Sequence, residues 1–294
     1  MIDKQFTKRV FIADYLLALS SDCPLELEEG YDLFLSEDNE KTADVKIECF
    51  AGIPDSPFQN GELVFEAENE EQKYYSIYRI ESELGFVIYN QQDKGKIQQI
   101  AILDSTFTNW KVYSELIDNV ISPLKYPLGP IVMNYMTLHS DAVMMHASCA
   151  FDGINARIFT GFSGAGKSTM SKIWSEAQNQ IVNDDRLIVR KQGDSYFVHN
   201  TPMYYVDRPK KAPLSAVYLI SHSPVNKIKK LNGAVAMTRM MAFSIQNNFD
   251  KQYIQTRLNL FNNLCSMIPV YDLGFVPDKT VVDFILANEA NEIK

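Results

Sequence analysis

No run of about 18 uncharged apolar residues occurs in this 294-residue chain, and a helix crossing a bilayer needs roughly that many. A membrane-spanning protein is therefore not expected. The opening residues, Met1-Ile2-Asp3-Lys4-Gln5, mix acid with base and lead to no apolar stretch ending at a small-residue cleavage site. They do not read as a signal peptide, and the expected location is the cytoplasm. Cysteine is scarce. Cys23, Cys49, Cys149 and Cys265 lie far apart, with neither paired metal-ligand spacing nor Cys-x-x-Cys, which leaves them as small buried hydrophobes in a reducing compartment. His139, His146, His199 and His222 include no His-x-x-x-His pair, so a structural metal site is not expected. A basic excess is lacking too. The net charge is −9, divided as −14 for residues 1–145 and +5 for 146–294. The acidic first half argues against a nucleic-acid surface. The mildly basic second half suits an anionic ligand such as a polyphosphate.

What is present begins as β-structure. Val45–Phe50, Glu62–Glu66 and Tyr74–Ile80 alternate apolar and polar residues as half-buried strands do. Phe86–Tyr89 and Ile97–Ile102 continue the series across the turn-rich Asn90–Gly95, which reads as an antiparallel meander without chemistry. The acidic stretch Glu26–Glu40 reads as a solvated loop or edge. Pro123, Pro127 and Pro130 mark a break near residue 125, giving two expected domains, 1–125 and 126–294. A helix follows at Ile131–Met136, then strands at Ala142–Phe151 and Arg157–Thr160 and a helix at Lys167–Ala177 with Ile173 and Trp174 inward. A short strand at Ile181-Val182 ends at Asn183-Asp184-Asp185. Arg186–Arg190 and Ser195–His199, joined by Gln192-Gly193-Asp194, form a hairpin where a doubly wound GTPase or RecA-type domain would place a helix. Ala216–Ile220 and Val270–Phe275 are further strands; Ala234–Gln246, Lys251–Met267 and Lys279–Asn288 are helices. Ile254, Leu258, Phe261, Leu264 and Cys265 form the core face of the second.

Between the second strand of the later half and its helix, Gly161-Phe162-Ser163-Gly164-Ala165-Gly166-Lys167-Ser168 satisfies G-x-x-x-x-G-K-[ST]. Each fixed position has a reason. Glycines let backbone N–H groups turn toward phosphate oxygens without a Cβ in the way. The helix that follows aims its positive end at them. Lys167 can reach the β- and γ-phosphates, and the Ser168 hydroxyl can ligate Mg²⁺. A chance match in a chain of this size is on the order of one in a hundred. The bland alternative is a glycine turn with a surface lysine. Asp184 and Asp185, soon downstream, repel each other unless a cation sits between them. One acid can hold Mg²⁺ while the other accepts a proton from an attacking hydroxyl; the bland alternative is a solvated turn.

His146-Ala147-Ser148, Gly161–Thr169 and Asn183-Asp184-Asp185-Arg186 together resemble the catalytic domain of the HPr kinase/phosphorylase family, which in turn resembles ATP-dependent phosphoenolpyruvate carboxykinase. Asn200-Thr201-Pro202-Met203 resembles a Gly-Thr-Pro-Trp segment there, and Lys211–Leu219 with Ile228–Ala236 resembles the next strand and helix start. The resemblance covers about residues 146–287 and is closer to bacterial HPr-kinase-like proteins of unassigned substrate than to HPr kinase itself, whose signature segment is not found downstream. It implies an α/β fold with α+β character: a phosphate-loop domain with a mixed sheet, preceded by a β-rich region. It implies an ATP- and Mg²⁺-dependent kinase acting on a serine-like hydroxyl of a small molecule, peptide or small protein. Gly161, Ser163, Gly164, Ala165, Gly166, Lys167, Ser168 and Thr169 would bind the nucleotide. Ser168 and Asp185 would hold the metal, Asp184 would be the base, Lys167 would grip the phosphates, and His146 would stand beside them as a catalytic residue, the bland reading being a buried structural histidine. HPr kinase relatives are hexamers, which leaves a homo-oligomer open. Relatives carry Gly-Glu after Thr-Pro-Trp; here Met203-Tyr204-Tyr205 has no acid before Asp207. That departure keeps a nucleotide-binding accessory protein as the alternative. Decarboxylation of the carboxykinase type ranks lower, because no carboxylate-binding arginines can be assigned.

Overall fold

The computed structural model describes residues 6–55, 58–138, 140–203, 207–245 and 251–292; the expectations that fall on Met1–Gln5, Tyr204-Tyr205 and Gln246 lie outside these. The chain divides into two compact units, Met1–His139 and Ser140–Lys294. Among the described residues no helix is long and apolar enough to cross a membrane.

The first unit is one eight-stranded sheet of β1 (Phe6–Ile12), β2 (Tyr15–Ser21), β3 (Val45–Ala51), β4 (Glu62–Glu68), β5 (Lys73–Ile80), β6 (Glu83–Tyr89), β7 (Ile97–Leu103) and β8 (Asn109–Ser114). Their spatial order is β1-β2-β3-β8-β7-β6-β5-β4. The antiparallel meander runs through β4–β8. β3 does not open it. β3 lies parallel to both β2 and β8, so the chain leaves it for the far edge and returns strand by strand. Alternation in β3 specified a half-buried strand but not its neighbour. The β1–β2 hairpin escaped the sequence pattern because β2 is apolar almost throughout and its turn, Ala13-Asp14, takes positive φ without glycine (50° and 65°). The acidic segment 26–40 is not wholly solvated: Leu27, Tyr31 and Phe34 are buried around a short 3₁₀ turn at Tyr31–Phe34.

Helix α1 (Leu128–Met136) begins earlier than expected, with Pro130 in its first turn, where the missing N–H costs no helical bond. Every residue of it is buried. Tyr135 meets Phe86 and Trp110 edge-on at 5.4 and 5.9 Å. That aromatic packing ties the helix to the first sheet and moves the boundary from 125/126 to 139/140.

The second unit contains β9 (Ala142–Phe151), β10 (Ala156–Thr160), α2 (Lys167–Glu176), β11 (Gln180–Asn183), β12 (Arg186–Gln192), β13 (Ser195–Asn200), β14 (Lys211–His222), β15 (Lys227–Leu231), α3 (Gly233–Ala242), α4 (Lys251–Met267), β16 (Val270–Phe275) and α5 (Thr280–Glu292). The sheet is mixed: β14 is parallel to β10 and β16, and the other pairings are antiparallel. Helices cover both faces. Val217 and Leu219 of β14 join a core with α3 and α4, while Ala216, Tyr218 and Ile220 join another with α2 and α5. Burial on both faces is why these strands read as continuous apolar runs. The inward face of α4 is Tyr253, Leu260, Phe261 and Leu264, while Ile254, Leu258 and Cys265 are only half-buried. Of the cysteines, Cys49 and Cys149 are buried, Cys23 and Cys265 partly so, and all four are free.

One charged group is locked inside the second unit. The Arg157 side chain, 2% exposed, donates to both Glu289 oxygens (2.8 and 2.6 Å) and to Asp152 (2.7 Å). Its guanidinium lies 5.2 Å from the Trp174 ring, and the Tyr218 hydroxyl also donates to Glu289 (2.6 Å). Removing one partner of a buried ion pair strands the other charges, at about 3–5 kcal/mol. Glu289 and Asp152 are partly solvated, so the lower end applies. Arg157→Ala is expected to lower the melting temperature by roughly 10 °C; a calorimetric scan within 2 °C of wild type would show the cluster to be dispensable.

Candidate active site

The site forms midway along β9. Residues 142–146 pair with β12 and 149–151 with β11 along one edge, while 147–151 also pair with β10 along the other. β10 ends at Thr160, opposite Ala147, and the phosphate loop leaves from there. β12 begins at Arg186, opposite His146, so the two preceding aspartates arrive at the same point. Cross-links hold the junction. Thr160 Oγ1 donates to the His146 carbonyl (3.1 Å), the Ala147 N–H to the Asp185 carbonyl (2.9 Å), and Ser148 Oγ to the Lys167 carbonyl (3.1 Å).

Within the loop, Gly164 and Gly166 take left-handed φ of 78° and 102°, a region that L side chains rarely adopt. At Gly166 space is short as well: a Cβ would lie 2.7 Å from Cζ of Phe275. At Gly161 a Cβ would meet the Ile220 carbonyl at 2.8 Å. Gly166 caps α2 with no side chain to accept its first N–H groups, which leaves those donors at a helix N-terminus, an arrangement suited to an anion. Lys167 folds over the loop, with Nζ 3.3 Å from the carbonyls of Gly161 and Phe162. Burial pushes its pKa down, and the charge of Asp185 opposes that shift. Phe162 stands outward, 75% exposed, edge-on to Phe243 at 4.8 Å.

Asn183 sets the aspartates. It is fully buried, and its Oδ1 accepts the N–H groups of Asp185 (2.8 Å) and Arg186 (3.1 Å), an Asx-type turn. Asp185 is bracketed, with Oδ1 3.3 Å from His146 Nε2 and Oδ2 2.6 Å from Arg186. Burial works against its ionisation, but the hydrogen bond from His146 and the charge of Arg186 outweigh it and hold the carboxyl below the usual range. Asp184 has no ion-pair partner among the described residues. Burial raises its pKa, and the charge of Asp185 raises it further. Two adjacent carboxyls driven in opposite directions are an arrangement in which one stays charged and the other can trade a proton.

A cavity of about 350 Å³ is lined by His146, Ser163, Gly164, Gly166, Lys167, Ser168, Thr169, Asp184, Asp185 and His222. The loop and both aspartates thus share one space. Gly161 and Ala165 do not line it: Gly161 lies against Ile220, and Ala165 packs on the core beneath α2. The His146 side chain is 49% exposed, which removes the buried structural reading. Arg186, Arg208, Lys210 and Lys211, basic residues that follow the aspartates in the chain, do not line the cavity. Arg186 is on Asp185, Lys210 is on the Ile181 carbonyl and Asp207, Lys211 lies over the Phe197 ring, and Arg208 follows that same Asp207. Sequence reasoning missed Asn183 as the positioning residue and His222 as a wall. The first had a signal in its place before the paired acids; the second had none.

A family model described as phosphoenolpyruvate carboxykinase matches residues 131–202. That stretch contains His146, the whole loop and both aspartates, so the resemblance holds over the segment that carries the motifs. A solved structure, the Hpr(Ser) kinase/phosphatase from Coxiella burnetii, aligns with 51% of this chain and 97% of its own at 9% identity and a TM-score of 0.31. No curated protein matches the sequence.

Proposed function

We propose that the second unit binds ATP with Mg²⁺ and transfers the γ-phosphoryl group to a serine-like hydroxyl on a small molecule, peptide or small protein. The observation that carries this reading is the single cavity lined by the phosphate loop and by Asp184 and Asp185. The loop amides and Lys167 hold the β- and γ-phosphates. Asp184, its pKa raised by burial and by its neighbour, accepts the proton of the acceptor hydroxyl. His146 positions Asp185 through their 3.3 Å contact. The donors around the loop's edge, Ser168 Oγ and the two carboxylates, are all oxygen, the set a hard cation prefers, and the repulsion felt by Asp184 fits a cation there. Ser168 and Asp185 are the residues that would hold Mg²⁺, which supplies charge neutralisation of the phosphoryl oxygens when bound. Such catalysis is mostly positioning and charge compensation.

Incubating the protein with γ-labelled ATP and size-fractionated lysate tests the reading. A Mg²⁺-dependent, acid-stable labelled ester in one fraction is the expected result. ATP binding without any labelled acceptor, across lysates and growth conditions, would instead leave the accessory-protein reading.

A further inference from the structure

We infer that His222 is an additional phosphate-binding residue, donating a hydrogen bond to the oxygens of the phosphates that remain with the nucleoside. This rests on the ATP reading above. His222 is the last residue of β14, which pairs in parallel with β10 at Thr160↔Leu219 and so continues three residues beyond the point where the loop departs. His146 is on β9, the other neighbour of β10. The two imidazoles therefore flank the phosphate loop, with both aspartates on the His146 side.

The His222 ring is oriented. It lies tilted on Phe275 at 5.3 Å, and its Cε1 is 3.2 Å from the position a Cβ on Gly166 would take. Cε1 sits between the two ring nitrogens, so the edge turned toward the loop is the one that carries the donor. Neither nitrogen has a hydrogen-bond partner among the described residues. The need for such a donor is visible in the charges. A nucleoside triphosphate brings about four negative charges, and among the described lining residues Lys167 is the one full cation. His146 is already engaged by Asp185. With the γ-phosphate facing Asp184, His222 on the opposite side faces the α- and β-phosphates.

Binding of ATP and ADP to wild type, His222→Ala, His222→Gln and Lys167→Ala, measured by titration calorimetry, tests this. A hydrogen bond to a charged group at a part-exposed site corresponds to roughly a 5- to 30-fold change. His222→Ala is expected to weaken ATP and ADP by the same factor in that range. His222→Gln, which restores an N–H donor, is expected to recover most of it. Unchanged affinities in His222→Ala while Lys167→Ala loses binding would overturn the inference and leave the ATP reading standing. So would a loss confined to ATP, which would place the contact on the γ-phosphate. Wild type binding neither nucleotide would overturn the ATP reading itself.

Discussion

Lys167→Ala is expected to raise the dissociation constant for ATP by about 100-fold while leaving the melting temperature unchanged or slightly higher. The affinity loss follows from the ammonium group's position over the loop, 3.3 Å from two of its carbonyls, where a phosphate oxygen can replace carbonyl partners. Hydrogen bonds to charged groups are worth roughly 1.5–3 kcal/mol each. Two of them at the lower end of that range, on the β- and γ-phosphates, correspond to about two orders of magnitude. The stability expectation has a separate cause. Burial depresses the Lys167 pKa, so the folded state holds this cation at a cost, and alanine removes the cost. A dissociation constant within threefold of wild type, by titration with ATP, would remove the loop from any account of function.

Asp184→Asn is expected to do the reverse: bind ATP within about threefold of wild type, yet lose phosphoryl transfer by roughly 10²- to 10⁴-fold, the range for a positioned general base. The amide keeps the shape and cannot accept the proton. The same pKa shift fixes the sign of the stability change. Asp184's carboxyl is raised by burial and by Asp185, so the fold favours its protonated form. Its contribution to stability is present at low pH and is lost as pH rises through the raised folded pKa. At neutral pH the ionised group therefore destabilises the protein, and Asn should stabilise it. Rate down with stability up separates a catalytic role from a structural one. The wild-type rate should also fall on the acid side at a pH above the ordinary aspartate range of about 3.9. Equal losses of binding and transfer in Asp184→Asn would contradict the role assigned to it.

The local chemistry was legible in residue order. Glycines at 161, 164 and 166 followed by Lys167 and Ser168 specify a backbone conformation almost by themselves, because two of the three take positive φ. The β12–β13 hairpin was legible because its turn residues sit between two short apolar runs. The placement of β3 was not. Alternation tells a strand which face to bury, and β3's parallel neighbours come from distant parts of the chain. Nor was the first-unit allegiance of α1, because a helix buried on all sides gives little periodic sign of which core it joins.

The sequence by itself determined the phosphate loop, the paired carboxyls and the mixed α/β character, since these depend on neighbours a few residues apart. Only the tertiary structure decided that loop and carboxyls line the same cavity, that Asp185 is the one held charged and Asp184 the one raised, and that His222 closes the far wall. These depend on β9 bringing the end of β10 and the start of β12 together at residues 146–147 and on electric fields from groups brought close by folding, and neither leaves a mark in local sequence.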